Sequence, residues 1–463
     1  MISSWVVSHL ALIAGFLFAA LLIAHILRQR RPPTATIAWL LAIILIPYLG
    51  VPLFLLLGGR KMRNLAARKA RIKLTHPGAG VPTTLTSLER LLLTHSVPPA
   101  TAGNRIVLHR TGNDNYSALV DIIESAKQSV YISTFILHPD TIGRDIIARL
   151  ARRAAEGLRV RLLLDGVGSL HTHRRTLAPL KQAGGRFAFF MPVMHRPLRG
   201  RTNLRNHRKT VIADERRVLA GGANIAAEYM GLENRSDRWH DLTFSLEGPA
   251  VNHYVELFRS DWAFASGESL VTMPLAEPLH ADRGAEAVVQ VVPSGPDVQG
   301  DPLYDALLTA VFSARDRIRV VTPYFIPDDA LCRAFSLAAH RGVDVVILLP
   351  ERSNHRLADA AGRSYLREIQ NDGGRVLFYQ DGMLHAKAVL CDDSLAILGS
   401  ANIDLRSLLL NYEAAILIYS ANEIRLIADW IDSLAQKSRE GVNEVGTIGG
   451  IGEGLARLLA PQL

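Results

Sequence analysis

The chain is predicted to fold as an α/β protein of two pseudo-symmetric lobes, each a mixed sheet flanked by helices, behind an N-terminal hairpin of two transmembrane helices. Three observations predict this. From about residue 105 onward, short β-branched runs alternate with longer amphipathic stretches, the pattern of strands alternating with helices. That region repeats itself with a period of about 180 residues, too long for a solenoid and therefore a duplicated domain. Ahead of it stand two apolar runs without one Lys, Arg, Asp or Glu.

The apolar runs extend from Trp5 to Leu27 and from Ile37 to Leu57. Each is close to the roughly 20 apolar residues a helix needs to cross a bilayer core. They account for a hydrophobic content of 49% and a mean hydropathy of +0.15, high values for a soluble enzyme. A cleaved secretory signal is the rival reading of the first run, but it lacks a basic leading region and a small-residue cleavage site, and a second run follows at once. Pro47 and Pro52 are expected to kink the second helix. Residues 1–60 are thus assigned to a membrane hairpin.

Orientation follows from the flanks. Seven Lys or Arg lie between Arg60 and Lys73, against three Arg in the loop between the runs. The positive-inside rule then puts the C-terminal body on the cytoplasmic side of the cell (inner or plasma) membrane, as a multi-pass protein. A formal charge of +9 suits an anionic membrane surface or a nucleic acid, and with two spans present anionic lipid is the simpler partner. The only cysteines, Cys332 and Cys391, form no CxxC pair, which argues against a disulfide framework or a structural zinc site. Cys391 reads as a small buried hydrophobe.

Residues 61–104 read as a basic juxtamembrane linker, rich in Pro, Gly, Ser and Thr around a short helix at Leu85 to Leu93. The first lobe is expected over 105–280 and the second, with the C-terminal tail, over 281–463. The duplication is visible in the residues themselves. "SAKQSVYISTFI" (Ser125 to Ile136) returns as "SARDRIRVVTPYF" (Ser313 to Phe325), and "ARRAAEGLRVRLLLD" (Ala151 to Asp165) returns as "SLAAHRGVDVVILLP" (Ser336 to Pro350). Next, "HRKTVIAD" (His207 to Asp214) returns as "HAKAVLCD" (His385 to Asp392). "AGGANI" (Ala220 to Ile225) then matches "LGSANI" (Leu398 to Ile403), so seventeen residues separate His from Asn in both copies.

These segments carry the chemistry. Side chains at i and i+2 of an extended segment share a face, so His207 stands beside Lys209 and His385 beside Lys387. An imidazole that can attack or donate a proton, next to an ammonium that offsets charge on oxygen, is suited to a phosphate. Asp214 and Asp392 fall in turns and are expected to fix the loop rather than touch substrate. Asn224 and Asn402, with the small residues before them such as Ser400, bring amide donors to the same strand ends. Two histidines on opposite sides of a phosphodiester would supply one nucleophile and one general acid that later acts as base. His171, His173, His195 and His240 lack such partners and read as ordinary.

The paired HxKxxxxD motifs, each followed by G-[GS]-x-N, resemble those of the phospholipase D superfamily. Further stretches, "RNHRKTVIAD", "EGPAV", "DWAF", "QVVPSGPD", "VTPYFIPDD", "GSANIDLRSLLLNYE" and the tail "LARLLAP", together with the N-terminal hairpin, resemble bacterial cardiolipin synthases over essentially the whole chain. The resemblance implies a phosphatidyltransferase that joins two phosphatidylglycerol molecules through a phosphohistidine and releases glycerol. It implies His207 and His385 as the catalytic pair, and Lys209, Lys387, Asn224 and Asn402 as phosphate ligands. By the same likeness His207 is favoured as nucleophile and His385 as acid and base. Glu413 and Asp241 resemble the family's supporting acids, although Asp241 reads equally as a solvent-exposed strand carboxylate. Thr210 and Cys391 depart from the family's aliphatic positions and read as packing choices. No metal or other cofactor is required, because Lys and amide donors do the work of a cation.

Other classes share these motifs. A nuclease or phosphodiesterase would act on nucleic acid, which is not expected here given the hairpin and the lack of a basic stretch interleaved with aromatics. A hydrolytic phospholipase D would use every residue named, with water in place of a lipid hydroxyl, and residue types leave that choice open. A non-enzymatic membrane scaffold is disfavoured by the intact pair of His. The basic run and the tail "GLARLLAPQL" read either as holding the active site near the lipid surface or as a solvated charged linker. Oligomeric state is not legible.

Overall fold

The computed structural model describes residues 2–28, 33–57, 69, 71–72, 74–75, 86–192, 204–233, 235–270 and 286–459. The N-terminal helices form one compact unit, and the remainder, which carries both lobes, forms a second.

In the first unit a helix runs from Ile2 to Leu27. The second apolar run is more than kinked: it is two helices, Pro33–Leu45 and Pro47–Leu57, with Ile46 between them and Pro52 inside the latter. Pro47 has no N–H to continue the ladder. The chain still turns tightly there, since the Ile46 carbonyl accepts from Leu49 and Gly50 at 3.0 and 2.7 Å. A Cβ on Gly50 would strike the Ala42 carbonyl, so only glycine fits that bend. Among the described residues no helix is long and apolar enough to cross a membrane. Most of the basic run between Arg60 and Lys73, and residues 29–32 of the loop between the apolar runs, lie outside the described residues.

The second unit is built on one fifteen-stranded sheet. The first lobe supplies β1 (Thr101–His109), β2 (Ser129–Thr134), β3 (Arg159–Asp165), β4 (Arg186–Phe190), β5 (Thr210–Ala213), β6 (Arg217–Gly221) and β7 (Thr243–Glu247). The second supplies β8 (Ala287–Ser294), β9 (Arg317–Val321), β11 (Asp344–Pro350), β12 (Arg375–Tyr379), β13 (Ala388–Cys391), β14 (Leu395–Gly399), β16 (Glu413–Ile418) and the edge strand β17 (Ser438–Glu440); β10 (Phe325–Ile326) and β15 (Ile403–Asp404) pair separately. Read outward from the centre, the order is β1-β7-β6-β5-β2-β3-β4 on one side and β8-β16-β14-β13-β9-β11-β12 on the other. The duplication in the sequence is therefore a duplication of topology. In each half three parallel strands, β2-β3-β4 and β9-β11-β12, adjoin four antiparallel ones.

The halves meet where β1 pairs antiparallel with β8, with a register irregularity between Thr101 and Asn104. Buried Asn104 repairs it: Nδ2 donates to the Thr101 and Ala287 carbonyls at 2.7 and 3.3 Å, and Oδ1 accepts from the Ala250 N–H at 2.9 Å. Each half has its own apolar core, as buried strands such as β2, β5, β11 and β16 demand. Part of the stretch read as linker joins the second core: helix Ser87–Thr94, closed by a Thr86–Glu89 capping box, buries Leu88 and Leu92 there.

Candidate active site

The two His-x-Lys segments lie just ahead of the regular strands, Lys209 directly before β5 and Lys387 directly before β13. At that point the chain has left its own lobe's ladder and pairs with the other lobe. Asn206 bridges Tyr412, and Leu384 bridges His240, both in parallel. The His207 N–H donates to the Tyr412 carbonyl at 2.9 Å, and the His385 N–H to the His240 carbonyl at 2.7 Å.

This register brings the supporting acids across the seam. Glu413 follows Tyr412, and Asp241 follows His240, so each histidine receives its carboxylate from the opposite lobe. His207 Nδ1 lies 2.9 Å from Glu413 Oε1 and 3.1 Å from the Ser400 carbonyl. His385 Nδ1 lies 2.6 Å from Asp241 Oδ2. Asp241 is not a solvent-exposed strand carboxylate: it is buried, as is Glu413. A carboxylate at Nδ1 fixes the proton there and leaves Nε2 with its lone pair. Around them, the Phe135 ring stands edge-on to His207 at 4.9 Å, while Tyr229 and Trp239 flank His385 at 5.1 and 5.4 Å.

The lysines are buried beside their histidines. Lys209 Nζ donates to the His207 carbonyl at 2.7 Å, and Lys387 Nζ donates to the His385 carbonyl and lies 3.1 Å from His385 Nε2. Burial pushes Lys209 down to about 7 and Lys387 down to about 8, with Glu413 and Asp241 opposing the shift. Burial and the neighbouring Lys387 charge drive His385 down to about 3, and burial lowers His207 as well. Against the burial that would raise them, the histidines and lysines hold Glu413 and Asp241 below the usual carboxylate range. Burial thus lowers the proton affinity of all four bases, while Glu413 and Asp241 stay charged among them.

The remaining motif residues divide by role. Asn224 Oδ1 accepts the Ile136 N–H at 3.1 Å and its amide serves Tyr229, while Asn402 hydrogen-bonds Asp404. Each NH2 group has two N–H donors, so one remains for a substrate oxygen. The Ser400 hydroxyl is spent on the Glu413 carboxylate. Its counterpart Gly222 could carry no side chain, because a Cβ would meet Asp241 Oδ1. Asp214 and Asp392 stand away from the histidines. Asp214 accepts three backbone N–H groups, from Lys127, Gln128 and Ser129 at 2.7, 2.6 and 2.9 Å. Asp392 accepts those of Arg315, Asp316 and Arg317 at 3.0, 2.8 and 3.0 Å. Both adopt left-handed backbone, φ +55° and +54°, as turn residues do.

Sequence reasoning missed several contributors. His240, read as ordinary, supplies the carbonyl that holds the His385 backbone. Arg208 is buried and its Nε donates to the Glu413 carbonyl at 3.0 Å. The aromatic neighbours Phe135, Tyr229 and Trp239 gave no spacing signal. His171 rests near His138, and His195 lies outside the described residues.

Residues 119–262 and 307–435 match the family described as cardiolipin synthase, PLD-like domain. The chain belongs to that family. The two matched stretches carry the two His-x-Lys motifs, one each, as a duplicated PLD-like domain requires. Residues 17–59 match a second family, the phospholipase D-nuclease N-terminal segment. A cardiolipin synthase of Clostridium perfringens is 30% identical over 94% of this chain and 95% of its own length. The major cardiolipin synthase of Bacillus subtilis is 32% identical over 89% and 90%. Among solved structures, a phosphatidylserine synthase of Haemophilus influenzae shares the fold with a TM-score of 0.62, at 16% identity, over 81% of this chain and 99% of that one. Membership in the cardiolipin synthase family makes this chain a phosphatidyltransferase acting on phospholipids.

Proposed function

We propose that this enzyme transfers a phosphatidyl group from one phosphatidylglycerol to another through a phosphohistidine. The observation that carries the reading is the crossed pairing of the two imidazoles with carboxylates, each histidine held at Nδ1 by an acid of the other lobe. In the first half-reaction His207 Nε2 attacks phosphorus, and the bond to the glycerol oxygen breaks. His385 protonates that oxygen, so glycerol leaves as the neutral alcohol. In the second half-reaction His385 takes the proton from a hydroxyl of the second phosphatidylglycerol. The oxygen displaces His207 from phosphorus, giving cardiolipin and restoring both rings. A phosphodiester carries one negative charge into a site where burial holds the bases below their ordinary protonation range, and that charge favours the protonated forms of Lys209, Lys387 and His385. Asn224 and Asn402 donate to its free oxygens.

The two apolar runs, the N-terminal family match and the basic flank support a membrane hairpin over residues 1–60, with the catalytic body cytoplasmic.

The test is purified protein in liposomes of labelled phosphatidylglycerol without divalent cation, with His207→Ala and His385→Ala alongside. Cardiolipin and free glycerol are expected from the wild type and from neither variant. Phosphatidic acid in their place would make water the acceptor, and synthesis surviving in both variants would overturn the mechanism.

A further inference from the structure

We propose that Lys69, Arg208, Asp261 and Asp297 form a buried positioning network that holds Glu413 against His207 and sets the first catalytic histidine apart from the second. The inference rests on the reading of His207 as the nucleophile of phosphatidyl transfer.

The network begins inside the first motif. Arg208 lies between His207 and Lys209, and in extended chain its side chain points away from the face they share. There its Nη1 donates to both oxygens of Asp261, at 2.8 and 2.9 Å, and its Nη2 stands 3.6 Å from Asp297 Oδ1. Lys69 closes the cluster, its ammonium bonded to Asp261 and to Asp297. Asn206 joins from the other side: Nδ2 donates to Asp261 Oδ2 at 3.0 Å, and Oδ1 accepts the Arg208 N–H at 3.1 Å. Two cations and two anions balance, and none of the four residues is more than 3% exposed.

The cluster grips the segment that supports His207. Besides the Arg208 bond to the Glu413 carbonyl, the Tyr412 ring receives Lys69 Nζ at 4.9 Å and the Arg208 guanidinium at 5.7 Å. The Glu413 carboxylate and the His207 backbone both hang from this two-residue segment. The second motif has nothing comparable, because Leu384 and Ala386 stand where Asn206 and Arg208 stand in the first, both fully buried and apolar. Four charges were taken out of water on one side of a pseudo-symmetric site and not on the other. Such burial is costly unless every charge is paired, and a well-packed apolar cluster would serve stability as well or better. The asymmetry therefore points to catalysis. Lys69 comes from the basic stretch that the sequence assigns to the membrane surface, yet it is committed to the active site's underside.

The full-length protein in phosphatidylglycerol liposomes tests this with Lys69→Met, which removes the charge, and the double variant Lys69→Met/Asp297→Asn, which restores neutrality. Lys69→Met leaves one uncompensated carboxylate behind Glu413, so kcat should fall by about tenfold with KM within about twofold. The acid limb of kcat/KM should move to higher pH as the added negative charge raises His207. The double variant should regain most of kcat and the wild-type limb. The inference is overturned if Lys69→Met keeps both kcat and the limb. It is equally overturned if both variants lose activity with an unmoved limb and a lowered melting temperature, the signature of a structural tie alone. A wild type that makes no cardiolipin, or an active His207→Ala protein, would overturn the transfer reading, and this inference with it, before any network variant is compared.

Discussion

At the scale of single residues, the site is organised around bases that burial holds below their ordinary protonation range, so that a bound anion favours their charged forms. Lys209 and Lys387 titrate near 7 and 8, well below the ordinary lysine range, because burial disfavours the ammonium. Phosphate capture needs them protonated, so kcat/KM should decline as pH rises through about 7 to 8, far earlier than free lysines would allow. A profile flat to pH 9 would contradict this. The sign for stability is opposite. The unfolded chain holds these protons up to about pH 10.4, so folding should become more favourable between those limits as pH rises. The residues doing this were largely legible: a His and a Lys repeated at matching spacing, with an Asn at a fixed distance, carry a chemical meaning that survives without coordinates. Arg208 and Lys69 were not legible, since a cation in a basic stretch gives no sign of whether it meets lipid or a buried carboxylate.

At the scale of elements, the motif aspartates show how a catalytic signature can hold a structural part. Asp214 and Asp392 each tie three backbone N–H groups of the turn before β2 or β9. Asparagine keeps one carboxyl-like oxygen and adds an unwanted donor. Asp214→Asn should therefore cost about 1 to 3 kcal/mol, and the two substitutions should add, being in separate lobes. Thermal melts of single and double variants would check it, and turnover per folded molecule should change little. A loss of turnover at unchanged melting temperature would instead make the aspartate catalytic. The alternation of strands and helices and its duplication followed from β-branched runs separated by amphipathic ones; the strand order did not. The exchange of acids did not follow, because spacing within a lobe says nothing of which lobe a carboxylate faces. The break at Ile46 was half legible: Pro47 announced a disturbance, but the glycine-dependent turn needed Gly50 to be seen against Ala42.

At the scale of the whole molecule, the proposed topology can be tested with thiol chemistry. Cys332 and Cys391 are buried and their thiols are pushed up to about 12, so they should stay silent to a membrane-impermeant maleimide. A cysteine introduced at exposed Asp393 should then react only when the cytoplasmic face is opened, and reaction in intact cells would reverse the orientation. The central pairing of β1 with β8 has a mechanical consequence. Because the sheet continues from one lobe to the other, and because both histidine–carboxylate bonds cross the same line, the described residues tie the halves together at both places. A jaw-like opening would tear the sheet and dismantle both imidazole supports together. Two diacyl substrates are therefore expected to reach phosphorus past the side chains and loops at the rim, not through a parting of the lobes.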